Sequence, residues 1–284
     1  MPPLIPVILL GLAFGSFAGA AVTRIPAGIS LWHPPSHCDA CGQRLRPLDM
    51  IPVLSWILYR GKCRSCGTPF PPLYPLIETA IAGQFAIAWL ATGRAGARFI
   101  ELPACAGGKP IPFVLLATLC WAATVAATID AIWWILPDSL TALIASAGLL
   151  RIVLSGPSAM IQGAIAAALA AAIPATLLVV HKRLTGRDGM GWGDIKFLAA
   201  GGLWLPPHLI PIWWGAAALG HVMIVLFQDF VVSAPAGAGR QFDESGACAP
   251  AGGKRKFMTM GAQAPMGPAL AASLVLMVLL STRL

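Results

Sequence analysis

The stretch Ile111–Ile129, IPFVLLATLCWAATVAATI, contains no charged residue and is followed directly by Asp130. It is long enough to cross the roughly 30 Å hydrocarbon core of a bilayer as an α-helix. The whole chain shares this character, because 57% of its 284 residues are apolar and 11% are charged. Soluble domains have about 45–50% apolar and about 25% charged residues. The composition therefore predicts an all-α polytopic membrane protein and excludes a soluble domain, a disordered chain and a fibrous repeat.

Further apolar runs lie on both sides of this one. They are Leu4–Val22, Leu73–Thr92, Ser139–Leu154, Pro157–Val180, Phe197–Gln228 and Gln263–Thr282. Phe197–Gln228 would be about 48 Å long as one helix, and we expect Pro206-Pro207 to break it. Two passes there make eight spans, and one bent pass makes seven. Eight spans with the N-terminus outside place most of the 19 Lys and Arg residues on the cytoplasmic side, so the positive-inside rule favours eight.

The polar segments divide the chain into three parts. We predict a first transmembrane helix at 1–22, a cytoplasmic module at 23–72 and a transmembrane core at 73–284 with seven further spans. The segment Val232–Lys256 is rich in Gly, Ala, Pro and Ser, which indicates a flexible cytoplasmic loop. The net charge of +8 comes from short loops between apolar runs, so it predicts membrane orientation and no nucleic-acid partner.

The module at 23–72 contains two CxxCG motifs, Cys38-Asp-Ala-Cys41-Gly and Cys63-Arg-Ser-Cys66-Gly. Four thiolates at this spacing are typical of a tetrahedral zinc site. A cytoplasmic location keeps the thiols reduced, which favours a metal over disulfides. A closed shell of four cysteines leaves no open coordination position, so we expect the zinc to be structural. A redox or disulfide role for the cysteines is the alternative.

Two aspartates at the ends of spans are candidates for catalysis. Asp130 ends the Ile111–Ile129 run, and Asp194 closes Gly189-Met190-Gly191-Trp192-Gly193-Asp194 before the next one. Both lie at the cytoplasmic face in either span model, where a close pair of carboxylates would share a proton and activate water. The alternative for Asp194 is a helix N-cap, paired with Lys196, and the alternative for Asp130 is a solvated helix end.

The other polar residues near spans have simpler interpretations. Asp138, after Leu136-Pro137, is expected to cap the next helix. Asp188 and Asp229 are expected to be solvated, and Cys120 to be a small core residue. The histidines His37, His208 and His221 are expected to be structural, since the four cysteines complete the metal shell and no carboxylate or cysteine stands at ligand spacing from the last two.

Taken in order, several motifs resemble those of the bacterial prepilin peptidase family, the type IV leader peptidases. The GxGD element is shared with the wider group of intramembrane aspartyl proteases. The motifs are Gly15-Ser16-Phe17, Arg24-Ile25-Pro26, the two cysteine motifs, Tyr74-Pro75-Leu76-Ile77-Glu78, Ile129-Asp130, Leu136-Pro137-Asp138, Gly189–Asp194 with Lys196, and Pro265-Met266-Gly267-Pro268.

The resemblance implies a bundle of about eight helices with a cytoplasmic zinc-type insert, and a catalytic pair formed by Asp130 and Asp194 and not by Asp138. It implies cleavage of the basic leader of a type IV prepilin or pseudopilin after a Gly, at the cytoplasmic face of the bacterial inner membrane. It also implies N-methylation of the new N-terminus with S-adenosylmethionine, an activity tied to the cysteine region.

Two positions bear on the methylation. Where the family usually has Asn after Gly-Ser-Phe-Leu, this chain has Gly19, which weakens the inference for methylation more than for cleavage. Glu78 is a candidate for the methylation function or for a buried contact with Arg24. No residues that bind S-adenosylmethionine are identified, and bilayer lipid is the other expected partner.

Two other functions fit parts of the pattern. An ion-coupled transporter with a regulatory zinc module would use buried aspartates as relays, but transporter sites lie near the bilayer midplane. A membrane scaffold whose zinc module binds a cytosolic partner is the other alternative, but this function does not explain the glycines before Asp194.

Overall fold

The computed structural model describes residues 4–93, 110–186, 191–232 and 265–281. These residues form α-helices joined by turns and two short 3₁₀ segments, with no β-strand among them, as predicted. The helices are α1 Leu4–Arg24, α2 Leu54–Leu58, α3 Leu73–Gly93, α4 Pro110–Trp133, α5 Asp138–Ser155, α6 Pro157–Thr185, α7 Trp192–Gly202, α8 Ile210–Val232 and α9 Gly267–Ser281. Residues 233–256 of the predicted loop, Cys105, Cys248, Asp188 and the side chain of Asp229 lie outside the described part.

Within the described ranges, six helices are long and apolar enough to cross a membrane, namely α1, α3, α4, α5, α6 and α8. The chain does break at Pro206-Pro207, because α7 ends at Gly202 and α8 begins at Ile210. However, the 11 residues of α7 rise only about 16 Å, about half of a hydrocarbon core. The 15-residue α9 is also short. Eight full spans are therefore not confirmed, and the division at 1–22, 23–72 and 73–284 stays a prediction.

Glycines on α1 let its backbone lie against α3. A Cβ built on Gly15 would be 2.5 Å from the Cα of Glu78, and one on Gly11 would be 2.7 Å from the Cα of Ala82. Gly19 continues this stripe, with its Cβ position 2.8 Å from the ring of Tyr74. Small residues at such spacing are typical of closely packed membrane helices. The Gly at position 19 thus has a packing reason, since an Asn there would displace Tyr74.

Helix α4 lies in the core of the bundle, and α5 packs against α7. Leu116, Leu119 and Ile129 of α4 are fully buried. Arg151 of α5 is also buried, and its guanidinium donates a 2.7 Å hydrogen bond to the carbonyl of Leu203, just past the end of α7. A cation that bonds a carbonyl at a helix C-terminus is favourable. Arg151 therefore helps to hold the short α7 inside the bundle.

Candidate active site and metal centre

The two cysteine motifs fold as matching turns. The amide of Cys38 donates to the carbonyl of Gln43, and that of Gly42 to Cys38, while Cys63 and Gly67 repeat the pattern with Thr68 and Cys63. Gly42 and Gly67 have φ of +68° and +72°, a conformation that glycine adopts without steric cost. The glycine after each CxxC therefore closes each turn.

The turns bring all four cysteines into one cluster. The Sγ atoms of Cys38, Cys41, Cys63 and Cys66 lie within 4.8 Å of one another, with 3.8 Å between those of Cys38 and Cys66. A tetrahedral zinc ion with bonds of about 2.3 Å holds its sulfurs at about this separation. His37 is turned to the carbonyl of Pro35, at 3.0 Å, so the four thiols form the cluster alone. The donor set fits a structural zinc ion.

The module contacts the membrane helices through Glu78 of α3. Oε2 of this buried carboxylate accepts a 2.6 Å hydrogen bond from the amide of Val53. The guanidinium of Arg24 instead donates to carbonyls of its own loop, at 3.0 Å for Leu31 and 2.7 Å for Pro34. The suggested contact between Glu78 and Arg24 is therefore wrong, because backbone carbonyls closer in the chain satisfy the guanidinium.

Asp130 is buried near the C-terminal end of α4, where it faces the first residue of α9. Its Oδ2 accepts a 2.9 Å hydrogen bond from the amide of Gly267. The first amides of a helix have no partner within the helix, and they stabilise negative charge. Asp130 is thus held by a neighbouring helix and is not a solvated helix end.

Asp194 lies in the first turn of α7, ahead of its apolar part. Burial, followed by the negative charge of Asp130, raises its pKa from 3.8 to about 6, against a hydrogen bond from the Gly191 backbone that lowers it. The influence of Asp130 means that the two carboxylates lie close enough to interact. The fold therefore brings together the two aspartates that the sequence singled out, although Gly189 and Met190 lie outside the described residues.

Asp138 has a different environment from the pair. It is the first residue of α5, and Pro137 at the N-cap position makes no side-chain cap. Both Asp138 oxygens accept hydrogen bonds from Nζ of Lys196, at 2.8 and 3.0 Å, and this ion pair is exposed to solvent. Two expectations are therefore wrong: Asp138 does not cap its helix through its side chain, and Lys196 pairs with Asp138 rather than with Asp194.

Three exposed tryptophans lie close to the aspartates in the chain. Trp133 and Trp134 follow Asp130 and are 49% and 55% exposed, and Trp192 before Asp194 is 62% exposed. Tryptophan is enriched where membranes meet water, since its ring is apolar and its N–H is polar. Their exposure favours a position of the aspartates near a membrane–water interface over one at the bilayer midplane.

Gly267 belongs to the site, although the sequence indicates it only as part of a motif. A Cβ on Gly267 would be 2.6 Å from Oδ2 of Asp130 and 2.9 Å from its Cγ. Any other residue would push the carboxylate or the start of α9 away. Only the Met266-Gly267-Pro268 motif marks this position in the sequence, and nothing in the motif points to Asp130, which is far away along the chain.

A helical membrane bundle that joins two interacting aspartates to a four-cysteine module defines a polytopic membrane protein of the aspartic-peptidase type. Residues 9–92 match the model of the bacterial peptidase A24 N-terminal domain, and residues 117–236 match that of the type IV leader peptidase family. The chain belongs to the type IV leader peptidase family, as the order of its motifs predicted.

Its relatives share most of its length. A protein from Klebsiella pneumoniae named prepilin leader peptidase/N-methyltransferase is 34% identical over 212 residues, covering 72% of this chain and 85% of the relative. Proteins of the same name from Burkholderia pseudomallei (strain 1026b) and Dickeya chrysanthemi are 35% and 34% identical, covering 72% and 73% of this chain and 69% and 76% of the relatives. No solved structure matches the chain.

Proposed function

We propose that this protein cleaves the basic leader of type IV prepilins or pseudopilins after a Gly, with Asp130 and Asp194 activating the attacking water. The observation that carries the proposal is the interaction of the two carboxylates at the ends of α4 and α7. Family membership supports the substrate class, since the matched model is that of the type IV leader peptidases. The excess of Lys and Arg in the expected inner loops supports a site that faces the cytoplasm of a bacterium.

Each carboxylate has a distinct part in this mechanism. Asp130, held by the amide of Gly267, takes a proton from water as the water oxygen bonds to the scissile carbonyl carbon. Asp194, whose raised pKa keeps it protonated to about pH 6, donates its proton to the carbonyl oxygen. As the C–N bond breaks, Asp130 gives its proton to the leaving nitrogen, and Asp194 recovers its own from the tetrahedral intermediate. General acid–base catalysis of this kind is typical of paired carboxylates.

The second proposed activity is methylation of the new N-terminal amine. The names of the relatives support it, since each includes N-methyltransferase. When bound, S-adenosylmethionine supplies a methyl group whose S–C bond breaks as the N–C bond forms, with the electron pair kept by sulfur and the positive charge passed to nitrogen. A zinc ion held by the four cysteines would stabilise the module and would take no part in either reaction, because four sulfur ligands would leave no open coordination position.

Cleavage of a purified pilin precursor in detergent tests the proposal. Wild type should cut the leader, while Asp130→Asn and Asp194→Asn should insert and bind zinc normally but leave the precursor intact. With S-adenosylmethionine present, the mass of the product should increase by one methyl group. Full cleavage by either variant would remove that aspartate from the mechanism, and no cleavage by wild type would reject the peptidase function.

A further inference from the structure

The cysteine module after α1, residues 25–72, buries very few of its own side chains. The structure describes every residue of this range, and only Cys38, Gly61 and Cys63 in it are buried. The four-cysteine cluster therefore takes the place of an apolar core, which a unit this small cannot readily build. The large apolar side chains of the module are left on its outside, where a soluble protein seldom groups them unless they bind something.

These exposed apolar side chains are concentrated in residues 48–58, which we call the apolar segment. Asp49 is its only charged residue. Six large apolar side chains in it are exposed, namely Leu48 67%, Met50 42%, Ile51 36%, Leu54 49%, Ile57 59% and Leu58 65%. Such a density of exposed apolar side chains marks an interaction surface.

Helix α2 directs its apolar side away from the module. Leu54, Ile57 and Leu58 stand at positions i, i+3 and i+4 and therefore share one side of the helix. Trp56, two residues after Leu54, lies on the other side, where its Nε1 donates a 3.3 Å hydrogen bond to the carbonyl of Phe70. The module thus uses one side of α2 for its own packing and presents the other to its surroundings.

The apolar segment is hydrogen-bonded to a membrane span. The amide of Val53, just before α2, donates a 2.6 Å hydrogen bond to Oε2 of Glu78. Glu78 follows the first residue of α3 by five residues, a rise of about 7.5 Å. The apolar part of α3, Leu73–Thr92, rises about 30 Å and needs its whole length to cross the hydrocarbon core. The start of α2 therefore lies beside the first turns of a span, level with the boundary of the hydrocarbon core.

The other connection of the module also lies along a span. The ring centroid of Trp32 is 5.9 Å from that of Phe17 in α1, and Trp32 is 77% exposed. Phe17 precedes Arg24, the last residue of α1, by seven residues, about 10.5 Å. The loop after α1 therefore turns back along the helix and places an exposed tryptophan at the depth where this residue type meets the membrane interface.

Exposed basic residues flank the apolar segment on both sides. They are Arg44 and Arg46 before it, and Arg60, Lys62 and Arg64 after it. Asp39 and Asp49 are the only acidic residues of the module. Apolar side chains between basic ones are typical of segments that lie in the membrane interface and contact anionic headgroups.

We propose that the apolar segment lies in the interfacial layer of the bilayer, with Leu54, Ile57 and Leu58 among the upper parts of the acyl chains and the flanking basic residues at anionic headgroups. The occupant of this surface is lipid of the leaflet at which α1 ends and α3 begins. The contact is independent of the proposed cleavage and methylation. It holds the four-cysteine cluster against the membrane, so that the module is not a free loop between two spans.

Fluorescence quenching in lipid nanodiscs tests this contact. Acridonylalanine, which is excited separately from tryptophan, replaces Leu58 in the full-length, zinc-loaded protein. Lipid brominated near the top of its acyl chains should quench the label more than lipid brominated near the chain ends, because interfacial segments lie shallow. Aqueous iodide should quench it far less than it quenches the free amino acid. Full quenching by iodide, with none by either brominated lipid, would overturn the proposal.

Two further labelled proteins serve as controls. The label in place of Ile57 repeats the measurement, so that the result does not depend on one replacement. The label in place of Leu219, which is 70% exposed on α8, marks a side chain on a span and should be quenched by brominated lipid and not by iodide. Zinc content and melting temperature are measured on each sample, and only proteins that match wild type are compared.

A pilin precursor is the competing occupant of the surface, and the same labels distinguish it from lipid. If the precursor covered α2, iodide would quench the label at position 58 in nanodiscs without precursor, and added precursor would protect it. That result would overturn the lipid contact.

The basic residues have a test of their own. Brominated phosphatidylglycerol should quench the label at position 58 more strongly than brominated phosphatidylcholine at low salt, and Arg60→Gln combined with Lys62→Gln should lose that difference. Equal quenching by the two lipids before the basic residues are replaced would overturn their assignment to anionic headgroups.

Discussion

Replacement of Gly267 by Ala should slow cleavage strongly without unfolding the protein. The added Cβ would be 2.6 Å from Oδ2 and 3.0 Å from the Cβ of Asp130, which is closer than non-bonded atoms approach. Gly267 and Asp130 both belong to helices, so the added methyl group can be accommodated only if the Asp130 side chain rotates away or the start of α9 shifts. Either change breaks the 2.9 Å hydrogen bond from the Gly267 amide to Asp130.

The size of the effect follows from that hydrogen bond. A hydrogen bond to a charged group contributes about 1.5–3 kcal/mol, and each 1.36 kcal/mol in the activation barrier corresponds to about tenfold in rate. We therefore expect kcat for leader cleavage to fall by about 10- to 150-fold. KM should change less, because the carboxylate acts on water and not on the distant parts of the precursor.

The assay is initial-rate cleavage of a pilin precursor by purified protein in detergent, with zinc content and melting temperature measured on the same samples. Gly215→Ala on α8 is the matched control, because no atom outside its own helix lies within 4 Å of its added Cβ. It should cleave like wild type. A Gly267→Ala protein with a normal melting temperature and a kcat within about threefold of wild type would refute the role of the Gly267 amide.

Three further outcomes are expected. The rate of cleavage should decline as the pH rises through about 6. Burial and the charge of Asp130 raise the pKa of Asp194 to about 6, so above this pH Asp194 loses the proton that it donates. A pH–rate profile that is flat from pH 5 to pH 9 would contradict this assignment. Asp138→Asn should reduce the rate less than about fivefold, since its exposed ion pair with Lys196 contributes about 0.2–1 kcal/mol, and a loss as deep as that of Asp130→Asn would mean that the wrong aspartate was chosen. Elemental analysis should find less zinc in Cys63→Ser than in wild type, and the variant should melt at a lower temperature. A wild type that contains no metal, or whose melting temperature is unchanged when the metal is removed, would reject the structural zinc.

The elements whose signal is local in the chain were predictable. Hydropathy indicated the long helices, because a span needs about 20 apolar residues whatever its neighbours are. The CxxCG motifs indicated the metal cluster for a similar reason, since each turn forms within a few residues and the glycine after the second cysteine has the required positive φ. The break before α8 followed from two adjacent prolines.

The features that depend on packing between distant helices were not predictable. Helix α9 and the part of α7 after Lys196 are apolar on all sides, so their sequences do not mark which face meets which neighbour. Helices this short need neighbouring helices around them. At the end of α7, for example, Arg151 of α5 donates a hydrogen bond to the carbonyl of Leu203. The partner of Lys196 was misassigned because Asp194 is nearer in the chain than Asp138, while the fold places Asp138 beside it.

The candidate site shows the same division. Asp130 and Asp194 stood out because carboxylates are rare beside membrane spans, but their interaction needs the arrangement of α4 against α7. The amide of Gly267 acts on Asp130 through a backbone atom, whose direction no side-chain pattern encodes. The resemblance to a family identified the pair of aspartates, and the structure supplied the hydrogen bonds that distinguish their environments.

The glycine stripe on α1 has a consequence for the order in which the protein is made. Gly11 and Gly15 lie against the backbone of α3, and the cysteine module is the connection between these two helices. The matched N-terminal domain, residues 9–92, ends with α3. The ribosome therefore completes α3, the helix that packs most closely against α1, before it synthesises any residue of α4. The four cysteines that could bind the metal are also complete at that point. We expect this hairpin to mature at the translocon as a unit on which the remaining helices assemble.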